Sequence, residues 1–125
     1  MAALVRTLTD ARGRWLFAAS HRDAAAELEL TGRMGAEILR VAVDRTFVDE
    51  HGTRWIIDFK TSEHEGGDLE RFLDSEQARY APQLHRYAAL IRSFGPEPVR
   101  LGLYFPLLSA WREWPIDAGV PTTYR

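Results

Sequence analysis

The sequence predicts an α/β (α+β) domain built on a mixed sheet of about five strands with a flanking helix. The main observation is the order of the apolar patterns: three strand patterns, one long helical pattern and two further strand patterns. The chain has 125 residues, which suits a single domain with a substantial core. It contains no internal repeat and no low-complexity tract. We therefore expect one packed sheet with helical cover.

The first part of the chain is interpreted as a partial helical lead-in. A helical pattern extends from Ala2 to Asp10, and the aromatic run Trp15-Leu16-Phe17 follows shortly after it. A complete packed helix pair does not fit in so short a segment. The chain is therefore divided into a partial helical lead-in over residues 1–24, a core over 25–117 and a frayed tail over 118–125.

Three strands are predicted next, from alternation and turn residues. Ala26 to Leu30 alternates leucine with glutamate and is followed by a predicted turn at Thr31-Gly32-Arg33. Residues 36–48 form the second predicted strand, whose apolar positions are Ile38, Val41, Val43 and Phe47. The segment Asp49-Glu50-His51-Gly52 is typical of a hairpin turn, with glycine where a positive φ is needed. Arg54 to Thr61 is the third predicted strand.

One amphipathic helix and two more strands complete the pattern. The helix is predicted over Leu69 to Phe94, with a break or a fresh start near Ala81 because Pro82 lacks an amide hydrogen. Gly95-Pro96 is expected to end the helix. The last two strands are predicted over residues 99–107 and 110–116. The apolar stripe of the helix comprises Leu69, Phe72, Leu73, Tyr80, Leu84, Tyr87, Ala88 and Ile91.

Composition excludes several classes of site. The chain has no cysteine, which excludes disulfides, thiolate zinc sites and cysteine-ligated iron–sulfur clusters. The net charge of -2 counts against a module that grips DNA on its own, because phosphate neutralisation dominates such binding. It allows an acidic enzyme site that needs metal ions. The sequence shows no signal peptide and no membrane-length apolar run, so the expected location is the cytoplasm.

Lys60 is the only lysine in the chain, and every other strongly basic side chain is arginine. It lies two residues after Asp58 in the predicted apolar strand Trp55-Ile56-Ile57-Asp58-Phe59-Lys60-Thr61. A lysine is a compact charge whose pKa shifts on burial, and arginine does not reproduce these properties. The strong preference for arginine over lysine elsewhere in the chain therefore suggests a chemical role for Lys60. The alternative is a strand-end lysine that extends into solvent.

Asp44 and Asp58 lie almost symmetrically about the predicted turn. In an antiparallel hairpin they should face each other to within about one residue. Alternation places Asp58 and Lys60 on one face of the strand and Ile57 and Phe59 on the other. The resulting patch of two carboxylates and one ammonium suits a hard divalent cation such as Mg²⁺. The alternative is an ordinary Asp–Lys pair on a solvated strand face, with Asp44 unrelated to it.

Gln83 and Tyr87 are four residues apart on the predicted helix, so they share one face. This spacing alone leaves two interpretations open. Either the pair belongs to a functional site, or Tyr87 is part of the core stripe and Gln83 is an ordinary surface glutamine.

Taken in order, these motifs resemble the PD-(D/E)xK nuclease superfamily, and more narrowly the RecB/AddA-type nuclease module at the C-terminus of UvrD-type helicase–nucleases. The resemblance extends over residues 27–107. Val41-Ala42-Val43-Asp44-Arg45 resembles the first acidic strand of that family, and Asp58-Phe59-Lys60-Thr61 is similar to its D-x-K-T strand. The segment from Tyr80 to Tyr87 resembles its Q-x-x-x-Y helix. Each motif is weak alone, but their order and spacing make the set specific.

The resemblance implies a restriction-endonuclease-like core and a metal-dependent deoxyribonuclease, an exonuclease of DNA repair and recombination. It implies Mg²⁺ or Mn²⁺ held by Asp44, Asp58 and the backbone carbonyl of Phe59, with no iron–sulfur cluster. Lys60 would assist the attacking water, while Gln83 and Tyr87 would position the site or the DNA. The implied partners are DNA and a helicase motor in the same parent chain or complex, since this chain lacks a phosphate-binding loop. No membrane partner is expected.

The histidines depart from the family pattern. The family supplies a metal-binding histidine from a helix well before the first acidic strand, whereas His21 lies close to that strand and is interpreted as a surface or loop residue. We therefore expect the chain to be part of a longer protein. Glu27 and Glu29 are acids on the first strand without an assigned role. Three further histidines are interpreted as one turn residue and two solvent-facing residues: His51, His64 and His85.

Two other interpretations stay open. A catalytically inactive, nuclease-like scaffold or DNA-guiding domain need not keep Lys60 with both aspartates, so their joint presence favours the enzyme. A generic α/β interaction domain predicts that no divalent ion binds at Asp44 and Asp58.

Overall fold

A computed structural model describes residues 10–64, 66–92 and 95–116. Its strands form one five-stranded sheet in the order β1-β2-β3-β4-β5, in which β3 and β4 are parallel and the other neighbours are antiparallel. The predicted mixed sheet with a flanking helix is confirmed. The elements are α1 (Ala11–Leu16), β1 (Arg22–Met34), β2 (Glu37–Val48), β3 (Arg54–Phe59), α2 (Leu69–Ile91), β4 (Val99–Phe105), a 3₁₀ helix (Pro106–Leu108) and β5 (Ala110–Pro115).

The sheet buries apolar side chains on both of its faces. Ile56, Leu101 and Leu103 face α2, where they pack with its buried stripe. The opposite face carries a second cluster, formed by Leu16, Phe47, Trp55, Ile57 and Tyr104. Because both faces of β3 and β4 are covered, these two strands are nearly continuous apolar runs in the sequence.

The helix α2 continues through Pro82, so the predicted break near Ala81 is wrong. A proline at this position removes the hydrogen bond to the carbonyl of Ala78, four residues earlier. Ala78 and Pro82 both lie on the exposed side of the helix, where water can bind that carbonyl. The helix begins at the cap residue Asp68, whose side chain accepts a hydrogen bond of 2.9 Å from the Arg71 amide.

The strand β1 is much longer than the predicted segment, and the predicted turn at Thr31-Gly32-Arg33 is wrong. The chain reverses instead at Gly35, whose φ is 64°, and at Ala36. Gly32 lies inside β1, paired with Leu39. A Cβ atom at Gly32 would lie 2.0 Å from a methyl carbon of Leu90. The glycine is therefore explained by the close approach of β1 to α2.

Ile38 was predicted as a core position of β2, but it is 71% exposed. It lies near the tip of the β1–β2 ribbon, whereas β3 pairs only with the stretch from Arg45 to Val48. In the described part of the chain, no third strand extends along the tip to bury Ile38. The other predicted apolar positions of this strand are buried, namely Val41, Val43 and Phe47.

The helical pattern predicted over Ala2 to Asp10 lies outside the described residues except for Asp10, and the predicted tail lies outside them entirely. The described chain instead forms α1 from Ala11, in a segment that was not predicted to be helical. Leu16 of α1 is fully buried, and its carbonyl accepts a hydrogen bond of 2.8 Å from Arg45 Nε. This contact anchors α1 to β2. In the part of the chain that the structure describes, no helix has the length and apolarity to cross a membrane.

Candidate active site

The β2–β3 hairpin brings Asp44 and Asp58 together. Its ladder pairs Thr46 with Ile56 and Arg45 with Ile57, so the next opposed positions are the two aspartates. The Asp44 carboxyl lies close enough to that of Asp58 to raise the pKa of Asp58. The turn between the strands contains Gly52 with φ 82°, as expected. The predicted apposition of Asp44 and Asp58 is confirmed.

The strands are irregular at Asp44. In β1, Glu27 lies between the pairs Ala26–Arg45 and Leu28–Val43 and has a positive φ of 53°. Val43 packs in the cluster beneath α2, whereas Phe47 packs in the cluster on the opposite face. Positions four apart share a face in a regular strand. The alternation of side chains in β2 is therefore interrupted between Val43 and Phe47. At this irregularity, Asp44 Oδ2 accepts a hydrogen bond of 2.8 Å from the Phe59 amide.

Lys60 is ion-paired to one of the two carboxylates. Its Nζ lies 2.7 Å from Asp58 Oδ2, and the two side chains are only 19% and 18% exposed. Burial and the hydrogen bond with Asp44 raise the pKa of Asp58 to about 6, although Lys60 acts in the opposite direction. One ammonium group therefore does not compensate two apposed carboxylates. A buried acid with a raised pKa and specific charged partners is a typical feature of functional sites.

The arrangement fits a hard divalent cation. Carboxylate oxygens are the ligands that Mg²⁺ prefers, and Mg²⁺ usually keeps several waters beside one or two protein carboxylates. Within residues 10–64, 66–92 and 95–116, no group of three or more His, Cys, Asp or Glu residues could hold a metal ion. A cation at this site would therefore depend on Asp44, Asp58 and backbone or water oxygens.

Gln83 and Tyr87 form a pair of their own on α2. Gln83 Nε2 donates a hydrogen bond of 2.5 Å to Tyr87 Oη. Gln83 is exposed, while Tyr87 packs partly against the core. Among the described residues, no hydrogen bond or ion pair links either side chain to the aspartates or to Lys60. The predicted site residues therefore form two groups in the structure. One comprises Asp44, Asp58 and Lys60, and the other is the Gln83–Tyr87 pair.

Two further residues of α2 reach the strand end, and sequence reasoning gave them no site role. The Tyr80 ring centroid lies 3.5 Å from Lys60 Nζ. Glu76 is only 8% exposed and accepts a hydrogen bond of 3.4 Å from Ser62 Oγ. Tyr80 had been assigned to the apolar stripe. One feature of the sequence could have indicated these contacts. Glu76 is an acid on the apolar side of the predicted helix, four residues before Tyr80 and therefore on the same face.

His21 lies in the loop between α1 and β1, as predicted, but its ring is partly buried there. Its ring stacks on Phe47 with centroids 3.8 Å apart, and its Nε2 lies 2.6 Å from the Trp15 carbonyl oxygen. Its Nδ1 is buried and has no hydrogen-bond partner among the residues that the structure describes. Because Phe47 belongs to the cluster on the sheet face opposite α2, His21 packs on that face of the sheet.

The other histidines have local packing roles. His51 is exposed in the hairpin turn, as predicted. His64 stacks on Phe72 and bonds to the carbonyl of Gly67. His85 is not solvent-facing, because Trp114 Nε1 donates a hydrogen bond of 3.2 Å to its Nε2 and partial burial lowers its pKa. Both acids without an assigned role are exposed, namely Glu27 and Glu29.

Comparison with known proteins gives one family match. A family model described as the PD-(D/E)XK nuclease superfamily matches residues 2–112. This range includes the apposed aspartates, Lys60 and the Gln83–Tyr87 pair. A search of curated proteins found no match to the chain.

Proposed function

The chain belongs to the PD-(D/E)XK nuclease superfamily, and we propose that it is a metal-dependent nuclease that hydrolyses phosphodiester bonds in DNA. The observation that supports this most strongly is the apposition of Asp44 and Asp58, with Lys60 Nζ 2.7 Å from Asp58. Nucleases of this superfamily typically use divalent metals such as Mg²⁺. The pair of undercompensated carboxylates suits such an ion.

In this proposal, Asp44, Asp58 and the backbone carbonyl of Phe59 hold Mg²⁺ or Mn²⁺. The bound ion would polarise a phosphoryl oxygen and lower the pKa of a bound water. The Asp44 carboxylate is already oriented by the Phe59 amide, and Asp58 is oriented by Lys60. Both ligands are thus held in place by neighbours, as an ordered metal site requires.

Lys60 is proposed to assist the reaction as a cation. Hydrolysis joins a water oxygen to phosphorus and breaks one ester P–O bond, so negative charge increases on the phosphate oxygens. An ammonium group in a mostly buried setting stabilises that charge more strongly than it would in water. It can also orient the attacking water by donating a hydrogen bond. Gln83 and Tyr87 are proposed to position the DNA strand beside this centre.

We further propose that the chain is an exonuclease module of a RecB/AddA-type helicase–nuclease in cytoplasmic DNA repair or recombination. The order of the three motifs supports this context. The net charge of -2 also supports it, because a module of this charge is better suited to delivery by a partner than to DNA binding on its own. In this proposal a helicase motor domain is that partner.

A second candidate function is an inactive scaffold or DNA-guiding domain with the same fold. It is favoured by the small number of ligands, since the described part of the chain has no three-residue metal-binding group. Such a domain would use the shared fold and bind divalent ions weakly at Asp44 and Asp58.

The two candidates are separated by a cleavage assay on labelled linear DNA with Mg²⁺ or Mn²⁺. We compare the unmodified chain, Lys60→Ala, a chelator control and Arg71→Ala, which removes an exposed cation whose ion-pair partner is Asp68. The nuclease predicts cleavage that is lost with Lys60→Ala or chelator and kept with Arg71→Ala. Cleavage that survives Lys60→Ala would contradict the proposed mechanism. Absence of cleavage, together with weak Mn²⁺ binding in calorimetry, would favour the scaffold.

A further inference from the structure

The ammonium group of Lys60 packs on the face of an aromatic ring. Its Nζ is 3.5 Å from the centroid of Tyr80, which lies near the middle of α2. A cation over a ring face is attracted by the ring quadrupole, and the attraction is stronger when the cation is desolvated. Lys60 is in that situation, because its side chain is only 19% exposed.

A second contact fixes the same stretch of chain one turn earlier on the helix. Ser62 Oγ donates to Glu76 Oε1, and Glu76 is four residues before Tyr80. Residues four apart on a helix lie on one face. Glu76 and Tyr80 thus contact two positions just beyond β3, and this holds the segment from Lys60 to Ser62 against α2.

The two partners of Lys60 respond differently to a change at Asp58. The ion pair depends on the negative charge of the Asp58 carboxylate. That charge is shared when Asp58 becomes a ligand of a divalent cation, and the pull on Lys60 then weakens. The attraction to the Tyr80 ring arises from a neutral quadrupole and does not depend on Asp58.

We propose that Tyr80 is a positioning residue for Lys60, which holds the ammonium group beside the carboxylate pair when Asp58 coordinates a metal. This inference rests on the proposed nuclease function. The relevant group is the ring of Tyr80, and its hydroxyl is not required. Phenylalanine should therefore replace tyrosine, whereas leucine should not.

The first test observes Lys60 directly, without reference to cleavage. Because Lys60 is the only lysine in the chain, isotope-labelled lysine gives side-chain NMR signals from this residue alone. Protons above an aromatic face are shifted upfield by the ring current. We expect upfield Lys60 Cε protons in the unmodified chain and in Tyr80→Phe, both with and without Mg²⁺. In Tyr80→Leu we expect the position of a free lysine.

The matched control is Phe72→Leu. Phe72 is another partly buried aromatic residue of α2, but it contacts His64 and Phe105. The control tests whether a looser helix would by itself release Lys60. We expect the Lys60 signals to be unchanged in Phe72→Leu, and amide spectra of all variants check that the fold is retained.

The second test is the rate of DNA cleavage. A cation–π contact of ordinary strength corresponds to a loss of about tenfold when the ring is removed. We expect Tyr80→Leu to lower kcat by this factor with little change in KM, and Tyr80→Phe to stay within about twofold of the unmodified chain. Retention of activity in the phenylalanine variant separates the ring from the hydroxyl.

The inference is overturned if the Lys60 protons lack an upfield shift, if Tyr80→Leu leaves that shift unchanged, or if Tyr80→Phe and Tyr80→Leu lose activity equally. These outcomes differ from failure of the proposed function. If Lys60→Ala cleaved DNA normally while Tyr80→Leu released the Lys60 side chain, the contact would be real and the proposed catalytic role of Lys60 would be wrong.

Discussion

The two ends of the β2–β3 hairpin each bury an aspartate, and the pKa values of the two aspartates are shifted in opposite directions. At the turn, Asp49 is 8% exposed and accepts hydrogen bonds from the Trp55 indole at 2.8 Å and from the His51 and Thr53 amides. Burial alone would raise the pKa of Asp49, but these donors lower it below its ordinary value. The carboxylate is satisfied as an anion.

At the open end of the hairpin, Asp58 faces the Asp44 carboxyl and has the Lys60 ammonium as its charged partner. Burial and that second carboxyl raise the pKa of Asp58 to about 6. The difference lies in the neighbours, since both aspartates are largely buried in the same hairpin. A buried carboxylate surrounded by donors stabilises the fold, whereas one that faces another carboxylate requires a proton or a cation. The open end is therefore the better candidate for chemistry.

The largest expected effect comes from Lys60→Ala at the open end. Removal of a buried cation that stabilises developing charge typically lowers kcat by about 100-fold or more. The fold should be retained, because the Lys60 backbone amide keeps its bond to the Tyr104 carbonyl. Single-turnover cleavage beside thermal unfolding checks both statements. If Lys60→Ala lost activity only in proportion to its loss of folded protein, the predicted catalytic effect would be contradicted.

Asp58→Asn tests the charge of the open end. It should weaken Mn²⁺ binding by about 10- to 100-fold and reduce turnover, because a charged metal ligand is replaced by a neutral one. The free energy of unfolding without metal should not fall, since the amide can donate to Asp44 and the repulsion is removed. Calorimetric titration with Mn²⁺ and urea unfolding measure the two quantities. Unchanged Mn²⁺ affinity would exclude Asp58 as a ligand.

The pH dependence of stability should also come from the open end. Because the folded pKa of Asp58 is above its unfolded value near about 3.9, its contribution is present below about pH 4 and is lost as the pH rises through about 6. The full loss is at most about 3 kcal/mol. Urea unfolding between pH 4 and 7 in chelator should show a steeper fall for the unmodified chain than for Asp58→Asn. Parallel curves would refute the assignment, and added Mg²⁺ should reduce the loss at pH 7.

Asp49→Asn should have the smallest effect on function and a clear effect on stability. An asparagine leaves one or more of the Trp55, His51 and Thr53 donors poorly paired, which costs about 1–3 kcal/mol. Because the pKa of Asp49 is lowered in the folded state, this residue stabilises the fold at pH values above its unfolded pKa, and the contribution is lost as the pH falls. The pH dependence that comes from Asp58 has the opposite sign. Mn²⁺ affinity of the folded protein should be unchanged. A large loss of affinity would show that the two ends are coupled.

The hairpin and its apposed acids could be predicted from the sequence because they are local. A short turn sets the register of the two strands that it joins, so the positions of Asp44 and Asp58 relative to Gly52 already imply their apposition. The alternation of residues likewise places Asp58 and Lys60 on one face. The amphipathic stripe of α2 was predictable for the same reason, because helical spacing is a local property.

Contacts between distant elements were decided only by the tertiary structure. Gly32 looks like a turn residue until Leu90 packs against it, and Pro82 looks like a helix break until the exposure of Ala78 is known. The ring of Tyr80 meets Lys60 because α2 crosses the end of β3. Sequence spacing does not determine how a helix is placed on a sheet; the packing of both surfaces determines it. The sequence by itself therefore determined the acidic pair, and the tertiary structure decided which side chains surround it.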